Sequence, residues 1–244
     1  MEYGVKIKGS VILPYGHLLM ANYTESNYLT ECSYTGEHIR NIPVSGPPFD
    51  IGLIDSNSIV VKYGEMQYLE IMNNITFEVE TKNELQDHCM GVSHKDSKLY
   101  IVCGYYTIQV LDISSRKLET WKTVSENLFD YYDITTSKDK IFYTEMLENI
   151  IYCCRMNGEE LWQFESESII GPCSIAVDDD DNVYIVGNTS NNLTIIQHNG
   201  KDSKILLSES DGLYEPRTVY YDKETKTILI CRQDGWQVWL YKVV

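Results

Sequence analysis

Few residues of this sequence have the types and spacing that chemistry requires. The run Asp178, Asp179, Asp180, Asp181 offers carboxylates of the kind a hard cation such as calcium takes. It lacks the spacing and the glycine of an EF-hand, and it falls between two strand-like segments, so it reads as a solvated turn. Nucleophilic catalysis needs a Ser or Cys beside a base, but there is no G-x-S-x-G elbow, and His17, His38, His88, His94 and His198 are scattered. His88-Cys89 and Cys153-Cys154 are adjacent pairs, and neighbours on a strand point to opposite faces, which favours packing over a reactive couple. The residues predict no catalytic constellation, no metal and no cofactor.

The elements that carry these residues repeat. Apolar runs begin at Leu18, Ile59, Leu99, Ile141, Val183 and Ile228, with separations of 41, 40, 42, 42 and 45 positions. A second run follows each after 9 or 10 residues, beginning at Tyr28, Tyr68, Ile108, Ile150, Leu193 and Val238. The runs are short, rich in Val, Ile, Tyr, Phe and Trp, and bounded by turn residues, which makes them strands. Asn157-Gly158 and Asn199-Gly200 read as hairpin tips between third and fourth strands. In the fifth unit the strands are expected at 174–177, 182–186, 193–197 and 204–207.

Four strands in some 42 residues is the measure of a propeller blade, so the expectation is all-β: a single domain over 1–244, a six-bladed propeller of four-stranded antiparallel blades. The sixth unit stops without a fourth strand. The strand-like segment 3–8 has no place in unit one and is expected to complete the last blade, closing the ring.

Of 244 residues, 43% are hydrophobic, enough to fill a core, and 36 acidic against 20 basic side chains give a formal charge of -16. Such a field repels phosphate backbones and anionic lipid, so nucleic acid is disfavoured as a partner. The first twenty residues contain no export signal, and no stretch of about 18 apolar residues offers a membrane span. Seven cysteines without C-x-x-C spacing read as reduced small hydrophobes, giving a cytoplasmic expectation. Asn-x-Ser/Thr matches at Asn22, Asn74, Asn188 and Asn192 are expected by chance in so Asn-rich a chain.

Residues 171–178, Gly-Pro-Cys-Ser-Ile-Ala-Val-Asp, followed by Asn-Val-Tyr-Ile-Val at 182–186, resemble the NHL repeat. The continuation through 190–192, 198–200 and 213–217 is similar to the C-terminal propeller of TRIM-type proteins, particularly divergent invertebrate members. The likeness is good over units four to six and weaker over one to three. Asp181 stands where the repeat usually has Gly, and no RING, B-box or coiled-coil segment lies upstream. The resemblance implies the recognition end of a ubiquitin-ligase-like architecture, without ligase activity in these residues. It also implies two alternatives, an RNA-binding propeller and a lactonase- or esterase-like hydrolase holding a cation in its channel.

Propellers bind at the channel mouth, on the face formed by the loops between second and third strands and by the connections between blades. Aligned units place Lys8, Phe49, Cys89, Tyr131, Cys173 and Arg217 around that mouth. The adjoining loops supply Tyr23, Tyr63, Tyr105, Tyr106, Arg232 and Trp236. Tyr, Trp and Arg anchor interfaces because they bury large rigid surfaces while keeping a polar handle. The function expected is non-catalytic recognition of a protein or peptide, with Arg217 and Arg232 selecting an acidic group.

Overall fold

The computed structural model describes residues 5–103, 107–122, 131–235 and 237–243. It is an all-β, six-bladed propeller. Blade one comprises β1 (Ile7–Ile12), β2 (Leu18–Asn22), β3 (Tyr28–Cys32) and β4 (His38–Pro43). Blade two comprises β5 (Pro48–Leu53), β6 (Ser58–Tyr63), β7 (Tyr68–Asn73) and β8 (Val79–Glu84), and blade three β9 (Cys89–Lys95), β10 (Lys98–Cys103), β11 (Thr107–Asp112) and β12 (Leu118–Lys122). Blade four follows with β13 (Tyr131–Ser137), β14 (Lys140–Glu145), β15 (Ile150–Arg155) and β16 (Glu160–Glu165), and blade five with β17 (Pro172–Val177), β18 (Val183–Gly187), β19 (Asn192–Ile196) and β20 (Ser203–Leu207). Blade six has β21 (Pro216–Asp222), β22 (Thr227–Arg232) and β23 (Val238–Lys242).

Every blade is an antiparallel meander, with its first strand at the axis. Burial follows that order: β2, β6, β10, β14, β18 and β22 are almost wholly buried, whereas outer strands such as β4 and β8 are mostly exposed. Six apolar clusters fill the six gaps between neighbouring blades. No blade could cover both of its faces alone, so the ring is the unit that removes apolar surface from water. Gly158 and Gly200 take φ of +86° and +69° in the third-to-fourth turns, while Asn157 and Asn199 stay outside the left-handed region. No helix is long and apolar enough to cross a membrane among the described residues.

Two expectations change. Ile7 and Lys8 begin β1, the inner strand of blade one, and among the described residues the last blade has three strands. Closure comes instead from β1 packing directly against β21 and β22. The reason lies in the N-terminal hydrogen bonds: Tyr23 N–H donates to Lys6 O and Ile7 N–H to Gln233 O, drawing the segment toward the axis. Residues 1–4 lie outside the described residues.

Cysteine chemistry also differs. Cys89 and Cys103 stand directly opposite each other on β9 and β10 and are joined in a disulfide, so these two are not reduced thiols. The remaining five are free and buried. Asn22, Asn74 and Asn192 are each less than 5% exposed, which leaves those three sequons without an accessible acceptor.

Candidate functional site

All six first strands contribute to an axial cavity of about 600 Å³. It runs from Gly9, Asp50, Asp133, Ser174 and Thr218 down to the first-to-second turns, where Asp55, Asp222, Lys223 and Glu224 surround its mouth. That face, called lower here, lies opposite the face with the second-to-third loops and blade connections, called upper.

The channel side chains are tied across blade boundaries. Asp50 accepts Ile51 N–H on Oδ1 at 2.8 Å and Val92 N–H on Oδ2 at 2.8 Å, joining blades two and three. Asp133 accepts Ile134 N–H on Oδ1 at 2.8 Å, and on Oδ2 both Ser174 Oγ–H at 2.7 Å and Ile175 N–H at 3.0 Å, joining blades four and five. Ser174 Oγ in turn accepts Val219 N–H at 3.0 Å, reaching blade six. Ser93 and Thr136 hydroxyls meet at 2.9 Å between blades three and four, and Ser10 and Thr218 at 2.5 Å between blades one and six. Between blades one and two, Gly9 lies so close to Asp50 that a Cβ on it would stand 2.7 Å from Asp50 Cα.

Burial and the neighbouring Asp133 hold the Asp50 carboxyl well above the usual range, and burial pushes Asp133 up to about 6. Perturbed carboxylates in a cavity invite a catalytic or metal reading. Their donor sets point elsewhere, since a hard cation takes six to eight oxygens and these carboxylates already accept backbone amides. Among the described residues no cluster of three or more His, Cys, Asp or Glu could hold a metal. Cys173 is buried, its thiol raised by that burial, and its Sγ lies 3.4 Å from Arg217 O, so it is an inert packing group.

Each inner strand carries a β-bulge near its upper end. The bulge shifts the register by one residue, and this corrects the predicted mouth ring. Lys8, Phe49, Cys173 and Arg217 occupy the bulge, whereas Cys89 and Tyr131 sit one residue earlier, paired with Cys103 and Glu145. Phe49 and Arg217 are 7% and 5% exposed. They belong to a plug beneath the upper face, with Tyr23 edge-on to Phe49 at 5.6 Å and the Lys8 ammonium 5.6 Å over its ring. Burial lowers Arg217 to about 10 and, together with Arg217, lowers Lys8 to about 8.

Tyr63 is wholly buried and donates its hydroxyl to Glu70 Oε2 at 2.6 Å, a core role. Its neighbour Lys62 is buried too, with its Nζ donating to the carbonyls of Tyr63, Gly64 and Met66. Arg232 reaches the upper surface beside Glu215 at 3.6 Å and Asp234 at 3.3 Å. Tyr105, Tyr106 and Trp236 lie outside the described residues, as does the side chain of Tyr131. The aspartate run is the turn between β17 and β18, with Asp179 and Asp180 exposed as expected and Asp178 and Asp181 buried: Asp178 accepts Asn182 and Asp180 N–H, Asp181 pairs with Lys140 and Ser137 of blade four, and Asp179 pairs with Lys226 of blade six.

The upper rim of blades four to six holds residues that the repeat alignment passed over. Leu147, Ile170 and Tyr214 are 55%, 44% and 43% exposed. Asparagine side chains stitch their loops together: Asn149 Oδ1 accepts Gly171 N–H, Asn188 Nδ2 donates to Pro216 O, and Asn191 Oδ1 accepts Glu215 N–H, all within 3.0 Å. Asn149 and Asn191 adopt φ of +60° and +50°, which asparagine tolerates better than most residues. Ile169 and Leu213, each just before an exposed member, are buried anchors. That doublet of one apolar residue in and one out, set ahead of a proline, was the available sequence signal.

Comparison with known proteins agrees on the fold. Residues 167–194 match the family model described as a beta-propeller repeat, SBBP. The chain is similar to virginiamycin B lyase from Staphylococcus aureus, at 12% identity and a TM-score of 0.70, over 100% of this chain and 85% of that one. A protein of unknown function from Bacteroides thetaiotaomicron VPI-5482 aligns at 11% identity and a TM-score of 0.83, over 98% of this chain and 70% of that one. U3-55K aligns at 11% identity and a TM-score of 0.72, over 99% and 79%. At such identities the likeness is one of architecture. No curated protein matches the chain by sequence.

Proposed function

We propose that this propeller is a non-catalytic interaction module that binds a basic polypeptide across the upper rim of blades four to six. The observation that carries this reading is the row of exposed Leu147, Ile170 and Tyr214 on loops held together by asparagine hydrogen bonds. Apolar side chains presented on a fixed frame lose little freedom on binding, which is how a small patch anchors a partner.

The charge of the partner follows from the surroundings. Glu148, Glu167, Glu209, Asp211 and Glu215 are exposed around the row, and the whole chain carries -16. Arg217 is buried and Arg232 is already beside two carboxylates, so an acidic partner has little to engage. A basic one is steered in. In a ubiquitin-ligase assembly of the kind implied by residues 171–186, this rim would be the end that recognises a substrate.

The test is quantitative affinity capture from source-cell lysate, comparing the wild type with a Leu147→Ser, Ile170→Ser, Tyr214→Ser variant of unchanged melting temperature. Loss of a discrete set of basic proteins supports the reading. Identical recovery of every protein overturns it.

A further inference from the structure

The two Asn-Gly pairs of the chain, 157–158 and 199–200, share their local geometry and differ in one distant contact. Each sits in a third-to-fourth turn on the lower face, Asn157 between β15 and β16 and Asn199 between β19 and β20. Both asparagines are exposed. Each side-chain Oδ1 accepts the amide two residues on, Glu159 N–H at 3.0 Å and Lys201 N–H at 2.9 Å. Each following glycine has a positive φ and donates its N–H back across the turn, Gly158 to Arg155 O at 2.9 Å and Gly200 to Gln197 O at 2.8 Å.

The difference is Trp162. A Cβ on Gly200 would stand 2.5 Å from Trp162 Cδ2, and the indole Nε1–H donates to His198 O at 3.2 Å. Trp162 lies on β16 and packs with Phe142 in the cluster between blades four and five, so the turn of blade five is fastened from blade four. A Cβ on Gly158 would meet nothing within 4 Å.

We propose that Asn157 is a site of spontaneous backbone modification, converting to aspartate and isoaspartate, and that Trp162 protects Asn199 from the same reaction. Glycine lets its own backbone nitrogen be approached closely, because it has no side chain to shield it. The Gly158 nitrogen gives its proton to hydroxide and bonds to Asn157 Cγ, while the Cγ–N bond of the side-chain amide breaks and ammonia leaves. The cyclic imide then takes up water. Opening at Cγ gives an ordinary aspartate, and opening at the main-chain carbonyl gives isoaspartate, with an extra methylene in the backbone. Water has replaced ammonia, and nothing is oxidised or reduced.

Before the attack, the glycine N–H must leave the carbonyl across the turn, so the turn must open. At Gly158 this displaces no neighbour outside the turn. At Gly200 it must also part Trp162 from the glycine and from His198 O, and one further hydrogen bond to break slows the reaction about tenfold. The place of the modification gives it a consequence. The turn at Asn157 leads into β16, whose Trp162 and Phe164 pack in the seam between blades four and five. A lengthened backbone and a new carboxylate therefore enter the hairpin that holds that seam. The site is separate from the apolar row of Leu147, Ile170 and Tyr214, and the inference stands independently of it.

The test incubates the full chain beside synthetic peptides of residues 155–160 and 197–202 in mildly alkaline buffer at physiological temperature. Peptide mapping by mass spectrometry follows the mass gain of amide-to-acid conversion, and enzymatic methylation of the isoaspartyl carboxyl identifies the rearranged product. Each site's protection is the rate in its peptide divided by the rate in the folded chain, which removes the effect of neighbouring sequence. Asn199 is expected to be about tenfold more protected than Asn157. Trp162→Phe, which lacks the indole N–H, should speed the loss at Asn199 severalfold and leave Asn157 as it was. Equal protection at the two sites, or an Asn157 that stays intact while its peptide reacts to completion, would overturn the inference. An Asn199 rate unmoved by both Trp162→Phe and Trp162→Ala would overturn the part given to Trp162.

Discussion

The Ser174 hydroxyl lies 2.7 Å from Asp133 Oδ2 and 3.0 Å from Val219 N, so one small side chain fastens blades four, five and six at the axis. Removing it leaves a buried carboxylate and a buried amide each short of a partner. Ser174→Ala should cost about 2 kcal/mol, lowering the melting temperature by roughly 4–8 °C, measured by calorimetry. An unchanged melting temperature would show that the axis is not held by this contact.

Asp133 gives the ring a pH dependence of definite sign. Burial raises its carboxyl from 3.8 to about 6, so the folded chain holds a proton there that the unfolded chain has released. Its contribution to stability is therefore greatest below pH 3.8 and is lost as the pH climbs through 6. Asp133→Asn carries no charge at any pH, so relative to wild type it should gain up to about 3 kcal/mol between pH 4 and 7 in urea unfolding. A constant difference across that range contradicts the assignment.

Gly91 repeats in blade three what Gly9 does in blade one. A Cβ there would stand 2.9 Å from Asp133 Cα and 3.0 Å from Ile134 N, atoms of a backbone that cannot swing aside. Gly91→Ala should destabilise the protein by about 1–3 kcal/mol through overpacking, read as a lower urea midpoint at unchanged m. The same change at Gly16, where nothing lies within 4 Å, meets no neighbour and should cost only what its φ of +87° demands.

Tyr63 separates a packing tyrosine from a recognising one. Tyr63→Phe takes away the hydroxyl bonded to buried Glu70, and a loss of about 1–2 kcal/mol is expected without any change in the proteins captured. Altered capture at unchanged stability would return Tyr63 to the binding surface.

Much of this architecture was legible in the chain. Two landmarks recurring at matched offsets gave six blades, and in the fifth unit each predicted strand falls within about two residues of the observed one. The bulges were not legible. A single extra residue changes which side chain faces the axis, and the period-two pattern in Cys89 to Val92 or Tyr131 to Ile134 carries no mark of it. The repeat alignment put Phe49 and Arg217 at the channel mouth, whereas both are buried, because their burial depends on side chains converging from several blades, which no local window contains. The same holds for Asp50 and Asp133, whose partners lie about one blade further along the chain. Blade six has three strands among the described residues, and the course of the N-terminal segment from Lys6 is set by its hydrogen bonds to Tyr23 and Gln233, which no sequence pattern announces.

The central claim is that the upper rim of blades four to six meets the partner while the axis only holds the ring together. The most direct measurement is in-cell photo-crosslinking with Tyr214→p-benzoylphenylalanine on that rim and Tyr34→p-benzoylphenylalanine in a third-to-fourth turn on the lower face, the two tyrosines being similarly exposed at 43% and 47%. The account predicts discrete, basic-protein adducts from position 214 and none of them from position 34. Adducts arising equally from both positions, or only from 34, would contradict it.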